Sequence, residues 1–150
     1  MKNICEYGAI GDGKAKNTAA IQKAIDACAG AGGGTVLVPS GVFITGTVFL
    51  KSGINLHLEA GAVLLGSPDR DDYNADDCFP ENNVFACENA TGAHLVIAYR
   101  CTDVSITGAG CIDGNSLAFF DSKGCDLALG NRACRDRGEH FSLRGGHVTR

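Results

Sequence analysis

Tryptophan is absent from this chain, methionine occurs once and proline three times. Low proline beside 21 glycines points to many tight turns and away from a disordered linker. No stretch approaches the roughly 18 apolar residues of a membrane span, so no membrane partner is expected. A signal peptide is missing as well: Met1-Lys2-Asn3-Ile4 leads straight into the domain, and a cytoplasmic location is expected if Met1 is the native start. No two cysteines are spaced C-x-x-C, which disfavours zinc, and no metal or other cofactor is expected. The eight cysteines (5, 28, 78, 87, 101, 111, 125 and 134) are too sparse for a disulfide scaffold. Cys28, Cys101 and Cys111 stand in apolar patterns and read as buried thiols.

Strong positive charge is also lacking. The net charge of −4 disfavours nucleic acid as a partner. Residues 1–120 hold 7 basic and 13 acidic side chains, whereas residues 121–150 hold 6 and 4. That basic tail reads as a solvated loop or as an arm that touches an anionic ligand. A chain of 150 residues is long enough for one domain with a real core.

What is present begins with a near-miss. Gly8-Ala9-Ile10-Gly11-Asp12-Gly13-Lys14-Ala15 has the glycines, the gap and the lysine of a phosphate-binding loop, then alanine in place of the hydroxyl that would bind magnesium. Only Ile4 to Tyr7 precede it, and the helical pattern begins four residues after the lysine. A glycine turn that feeds a helix fits better than a nucleotide site.

The helix is the one convincing helical pattern. Ile21, Ala24, Ile25 and Cys28 recur at i, i+3, i+4 and i+7. Asn17 or Thr18 can cap its start, and Gly30 with Gly32–Gly34 ends it. Short strands follow at Thr35–Val38, Val42–Leu50 with a break at Gly46, Ile54–Leu58 and Ala62–Leu65. The pattern resumes at His94–Tyr99, Val104–Thr107 and Cys111–Asp113. Their turns are too short for βαβ crossovers, and the strands are too short for a free-standing meander. A chain that winds in one direction, each coil stacking short strands on the last, satisfies both limits. The expected fold is therefore all-β: a parallel β-helix solenoid with an N-terminal capping α-helix over its open end. Residues 17–29 would form the cap, 35–116 three or four coils of roughly 20–25 residues each, and 117–150 a loop leading to the next coil.

Three blocks carry a resemblance: Tyr7 to Lys14, Asn17 to Cys28, and Gly32-Gly33-Gly34-Thr35-Val36-Leu37-Val38-Pro39. They resemble the opening of the pectin-lyase-like superfamily and, within it, glycoside hydrolase family 28, the polygalacturonases. Phe49-Leu50-Lys51-Ser52, Leu56-His57-Leu58-Glu59-Ala60-Gly61-Ala62, Leu65-Gly66-Ser67, Val104 to Gly108 and Ile112-Asp113-Gly114-Asn115 are similar to that family's first coils. The resemblance implies a right-handed β-helix and inverting hydrolysis of bonds between galacturonic acid units, with an acidic polysaccharide or oligosaccharide (galacturonan) as the partner of the full-length parent. A lyase or depolymerase on the same fold, or a non-catalytic carbohydrate-binding β-helix, are the alternatives.

The family's catalytic motifs are Asn-x-Asp, Asp-Asp, Gly-His-Gly and Arg-x-Lys, all on later coils. Here the only acidic doublets, Asp71-Asp72 and Asp76-Asp77, fall in a loop after the first coils and read as solvated, loose calcium binding being the minor reading. Gly145-Gly146-His147 has the wrong order, and no Arg-x-Lys occurs. His57 and His94 read as wall or stacking positions, while His140 lies in the basic tail without partner spacing. Asn89-Ala90-Thr91 is a glycosylation sequon, without meaning unless the chain is secreted. No catalytic, cofactor-binding or metal residue is assigned. The expectation is a truncated N-terminal portion of a polygalacturonase-like enzyme, inactive by itself.

Overall fold

The computed structural model describes residues 1–74 and 94–119. Among the described residues ten short strands build three sheets, and every strand pair is parallel. The chain runs β1 (Lys2–Asn3), β2 (Asp12–Lys16), helix α1 (Thr18–Gly30), β3 (Gly34–Val38), β4 (Gly41–Thr45) and β5 (Val48–Phe49). It continues through β6 (Ile54–Leu58), β7 (Ala62–Gly66), β8 (Val96–Ile97), β9 (Ser105–Gly108) and β10 (Cys111–Asp113). The first sheet orders β1-β3-β6-β9, the second β2-β4-β7-β10 and the third β5-β8. Successive strands thus visit the three sheets in turn and return one level higher. This is a parallel β-helix.

The strands form where they do because apolar residues alternate. In β6, Ile54, Leu56 and Leu58 are buried while Asn55 and His57 are half-buried on the outer face. In β7, Ala62, Leu64 and Gly66 point inward by the same period of two. Register then stacks like on like: Val36 under Leu56 under Ile106, and Phe43 under Leu64 under Ile112. Each fully buried aliphatic side chain in those columns contributes about 1.5–3 kcal/mol.

Register also corrects one cysteine. Cys111 pairs with Val63, an outward position of β7, so its thiol is exposed, whereas Ile112 follows Leu64 inward. Cys28 is buried as expected, on the inner face of α1. Cys101 is half-buried, its Sγ 3.3 Å from the Leu50 carbonyl and 3.2 Å from that of Tyr99.

Helix α1 buries Ile21, Ala24, Ile25 and Cys28, the stripe its spacing predicts, and packs against β1, β3 and β5. Its start is built differently from the expectation. Neither Asn17 nor Thr18 caps the helix with its side chain. The Thr18 hydroxyl instead accepts the Gly46 N–H at 2.8 Å. Asn17, 1% exposed, turns back into the glycine loop. Its Oδ1 accepts the Ile10 N–H at 2.7 Å, and its Nδ2 donates to the carbonyls of Ile10 (3.1 Å) and Ala15 (2.7 Å). Its own N–H donates to the Ile44 carbonyl at 2.8 Å. One buried amide therefore fastens loop, helix start and β4 together.

The two opening strands, β1 and β2, add a rung to the first two sheets that the sequence pattern does not show. In β2 the polar Asp12-Gly13-Lys14-Ala15-Lys16 pairs with β4 through an irregular register. Asn17→Ala would take the acceptor from the Ile10 N–H and one donor each from the Ile10 and Ala15 carbonyls. We expect it to lower the unfolding free energy by about 2–4 kcal/mol in urea melts. A loss below about 0.5 kcal/mol, the scale of an ordinary surface change, would show that the loop does not depend on this amide.

Candidate functional site

The phosphate-loop question is settled by an internal carboxylate. Asp12 Oδ1 accepts the N–H groups of Lys14 and Ala15, each at 2.8 Å. The Ala15 amide first, then that of Lys14, holds the Asp12 carboxyl below the usual carboxylate range. Amides that a phosphate would need are thus occupied by the chain's own anion. The loop is structural, and its second half, from Asp12, is strand.

A second polar cluster forms where the chain leaves β7. Lys16 Nζ lies 3.2 Å from Asp69 Oδ2 and 2.9 Å from Asp72 Oδ2. The Ser67 hydroxyl donates to Asp72 Oδ2 and accepts the Asp69 N–H at 3.2 Å. Tyr73 donates its hydroxyl to the Ser67 carbonyl at 2.8 Å. The solvated-loop expectation holds for Asp71, which is exposed, and fails for Asp72, whose side chain is only 21% exposed. The reason is Lys16: it belongs to β2, which pattern reading assigns to a turn, and register brings it within reach.

Electrostatically this cluster is an anchor and not a proton donor. The Asp71 N–H and then Lys16 hold the Asp69 carboxyl below its usual range. Asp72 and then Asp69 raise the Lys16 ammonium above its usual value. Asp26 is lowered too, by Lys51 at 2.8 Å and then by Gln22. A general acid for glycoside cleavage needs the opposite displacement, a carboxyl raised toward neutrality. Among the described residues no group of three or more histidine, cysteine or acidic side chains is placed to hold a metal ion.

Just beyond lies a clasp. The Thr47 hydroxyl is shared between Asn74 Oδ1, at 2.9 Å, and the His94 carbonyl, and it accepts the Asn74 N–H at 3.0 Å. Asn74 Oδ1 also accepts the His94 N–H at 3.1 Å. Residues 74 and 94 are thereby drawn together. The Thr47 N–H donates to the Asp72 carbonyl, and a methyl at neighbouring Gly46 would collide with that same oxygen.

The third cluster is the outer face of the first sheet. His57 lies above Leu37 and below Thr107 in register, a wall position as expected. Ser105 and Thr107 both donate to Asn55 Oδ1, at 3.0 and 2.9 Å. With its one hydrogen used there, the Thr107 hydroxyl accepts from His57 Nδ1 at 2.8 Å, which fixes that nitrogen as N–H. His94 serves the clasp. Cys5 is exposed, while Asp76-Asp77, Asn89-Ala90-Thr91, His140, Gly145-Gly146-His147, the basic tail and Cys78, Cys87, Cys125 and Cys134 lie outside the described residues. Lys16 and Thr47 carry no local motif; only the stacking of coils brings them into play.

A family model described as rhamnogalacturonase A/epimerase, pectate lyase-like, matches residues 1–107. The chain belongs to this family. It is 42% identical over 119 residues to an exo-poly-alpha-D-galacturonosidase of Dickeya chrysanthemi, covering 75% of this chain and 19% of that protein. Among solved structures, a family 28 exopolygalacturonase of Yersinia enterocolitica aligns with a TM-score of 0.64 at 40% identity, over 75% of this chain and 20% of that one. A hyperthermoactive exopolygalacturonase of Thermotoga maritima aligns with a TM-score of 0.62 at 32% identity, over 76% and 24%. The resemblance read from the opening and coil motifs is borne out. This member of the pectate lyase-like family spans between 19% and 24% of the length of these relatives.

The anchor has a pH signature. Asp12, Asp26 and Asp69 are lowered from 3.8, so their stabilisation is present above that value and is lost as pH falls through their lower folded values. Lys16 is raised from 10.5, so its share is present below that value and is lost as pH rises through the raised one. Melting temperature should therefore be flat across neutral pH and fall at both extremes. Lys16→Ala should remove its alkaline limb and weaken the acid one. An unchanged pH profile in that variant would show that Lys16 contributes nothing to the anchor.

Proposed function

We propose that this chain forms the opening coils of a right-handed, polygalacturonase-type glycoside hydrolase that cleaves galacturonan with inversion. The observation that carries this reading is the 42% identity with a galacturonosidase across three quarters of the chain. Inverting hydrolysis needs one carboxyl to protonate the leaving oxygen and another to activate water on the opposite face. Asp12, Asp26 and Asp69 are all held low, so none of them suits the role of the acid that protonates the leaving oxygen, and the Asp69 carboxylate is already engaged by the Lys16 ammonium. In this reading the acids are supplied by later coils, and the chain alone is inactive. Helix α1 then serves as the cover over the first end of the stack, with Ile21 and Ile25 closing the apolar column.

Purified chain mixed with polygalacturonate should release no reducing ends, and measurable release would overturn the inactivity. A protein extended past Arg150 in its reading frame should release them with inverted anomeric configuration. An unsaturated, ultraviolet-absorbing product from that longer protein would instead make it a lyase. For the cover, Ile21→Ala with Ile25→Ala should lower stability by about 4–8 kcal/mol if the two losses add. The double variant should also increase binding of an apolar dye; an unchanged dye signal in a folded variant would refute the cover.

A further inference from the structure

Among the described residues the third sheet has two strands where the others have four. Its edge away from β8 nevertheless is not bare. In β5 and the residue after it, the N–H groups of Val48 and Leu50 donate to the carbonyls of Leu95 and Ile97, at 2.9 and 2.7 Å. Strand geometry then turns the N–H and C=O of Phe49, between them, to the opposite side. Both meet the side chain of Gln22 on α1: the Phe49 N–H donates to Oε1 at 2.8 Å, and Nε2 donates to the Phe49 carbonyl at 3.0 Å. A carboxamide presents one donor and one acceptor side by side, as the facing residue of a neighbouring strand would. Nε2 also donates to Asp26 Oδ1 at 3.0 Å, and Asp26 pairs with Lys51, so the helix grips the chain on both sides of the edge.

We propose that the Gln22 carboxamide is a surrogate strand: it satisfies the open edge of the third sheet and blocks a second copy of this chain from adding a strand there. The rung below β5 is the one that the first and second sheets fill with β1 and β2, and at the third sheet α1 runs in its place. Phe49 is 43% exposed, a large apolar side chain beside the guarded backbone. An unguarded edge of this kind is a template for pairing with another chain, and every copy carries the same edge. The proposal rests on the reading of α1 as an end cover and adds to it a directional task for one residue.

Gln22→Ala tests it in the full chain, with hydrogen exchange read at the Phe49 amide. At low protein concentration that amide should exchange at least about tenfold faster than in the parent, since its acceptor is gone. As concentration rises, oligomers should appear and the Phe49 amide should become protected again. Gln22→Met, which keeps helix propensity and length but offers no such hydrogen bonds, should behave alike, and it decides the matter should the alanine variant fail to fold. A folded variant that stays monomeric at concentrations matching the parent's, or oligomers that leave the Phe49 amide fast, would overturn the proposal. The dye test separates the two ideas. Gln22 variants should leave apolar dye binding at the parental level, and a rise in dye without faster Phe49 exchange would assign the residue to the cover alone.

Discussion

A coil of a solenoid can bury its inner side chains only against the coil above or below it. Val36, Leu56 and Ile106 share one column and Phe43, Leu64 and Ile112 another, so the register between coils is the core of this protein. Register is also unforgiving. A slip of one residue would turn Leu56 outward and bring His57 in, exchanging a buried aliphatic for an imidazole. The polar clusters described above are consequences of that register, since it alone sets Lys16 beside Asp72 and Thr107 over His57.

Fixing the register at its lower end falls to Asn17. Its amide ties the glycine loop to the beginning of the helix, while its backbone N–H reaches β4. The buried hydroxyl of Thr45 and the half-buried one of Thr18 extend the same joint to Gly46. None of the described buried polar side-chain atoms is left without a partner. That completeness matters at Asn17 and Thr45, which are buried, because polar atoms there have no water to satisfy them.

Much of this fold is legible from the residues. Ile54-Asn55-Leu56-His57-Leu58 announces a strand because its period of two is unbroken, and the helix stripe from Ile21 to Cys28 is equally plain. The strands at the opening escape notice for a physical reason. Asp12-Gly13-Lys14-Ala15-Lys16 carries no apolar alternation, and it pairs because β4 offers an edge, not because its own side chains demand burial. Cys111 misleads by phase alone: in a three-residue strand, pattern cannot tell which of Cys111 and Ile112 faces in. Asp72 and Thr47 are illegible for a different reason. Their partners are remote in sequence, and polar residues in a turn look alike whether they meet water or a lysine from another coil. Family kinship, by contrast, is written in the contiguous glycine and helix blocks at the start of the chain, which the family model spans.

The clasp around Thr47 has an architectural corollary. Because Asn74 and His94 are fastened to the same threonine, two positions 20 residues apart in sequence meet at one hydroxyl of the wall. For a flexible connection between two such fixed positions, closure costs only about 0.6 kcal/mol more for each doubling of length. The coils beneath do not sense that length, since their spacing is already dictated on either side. A lineage built on this scaffold can therefore vary the number of residues between these two positions while the register of the described coils stays the same.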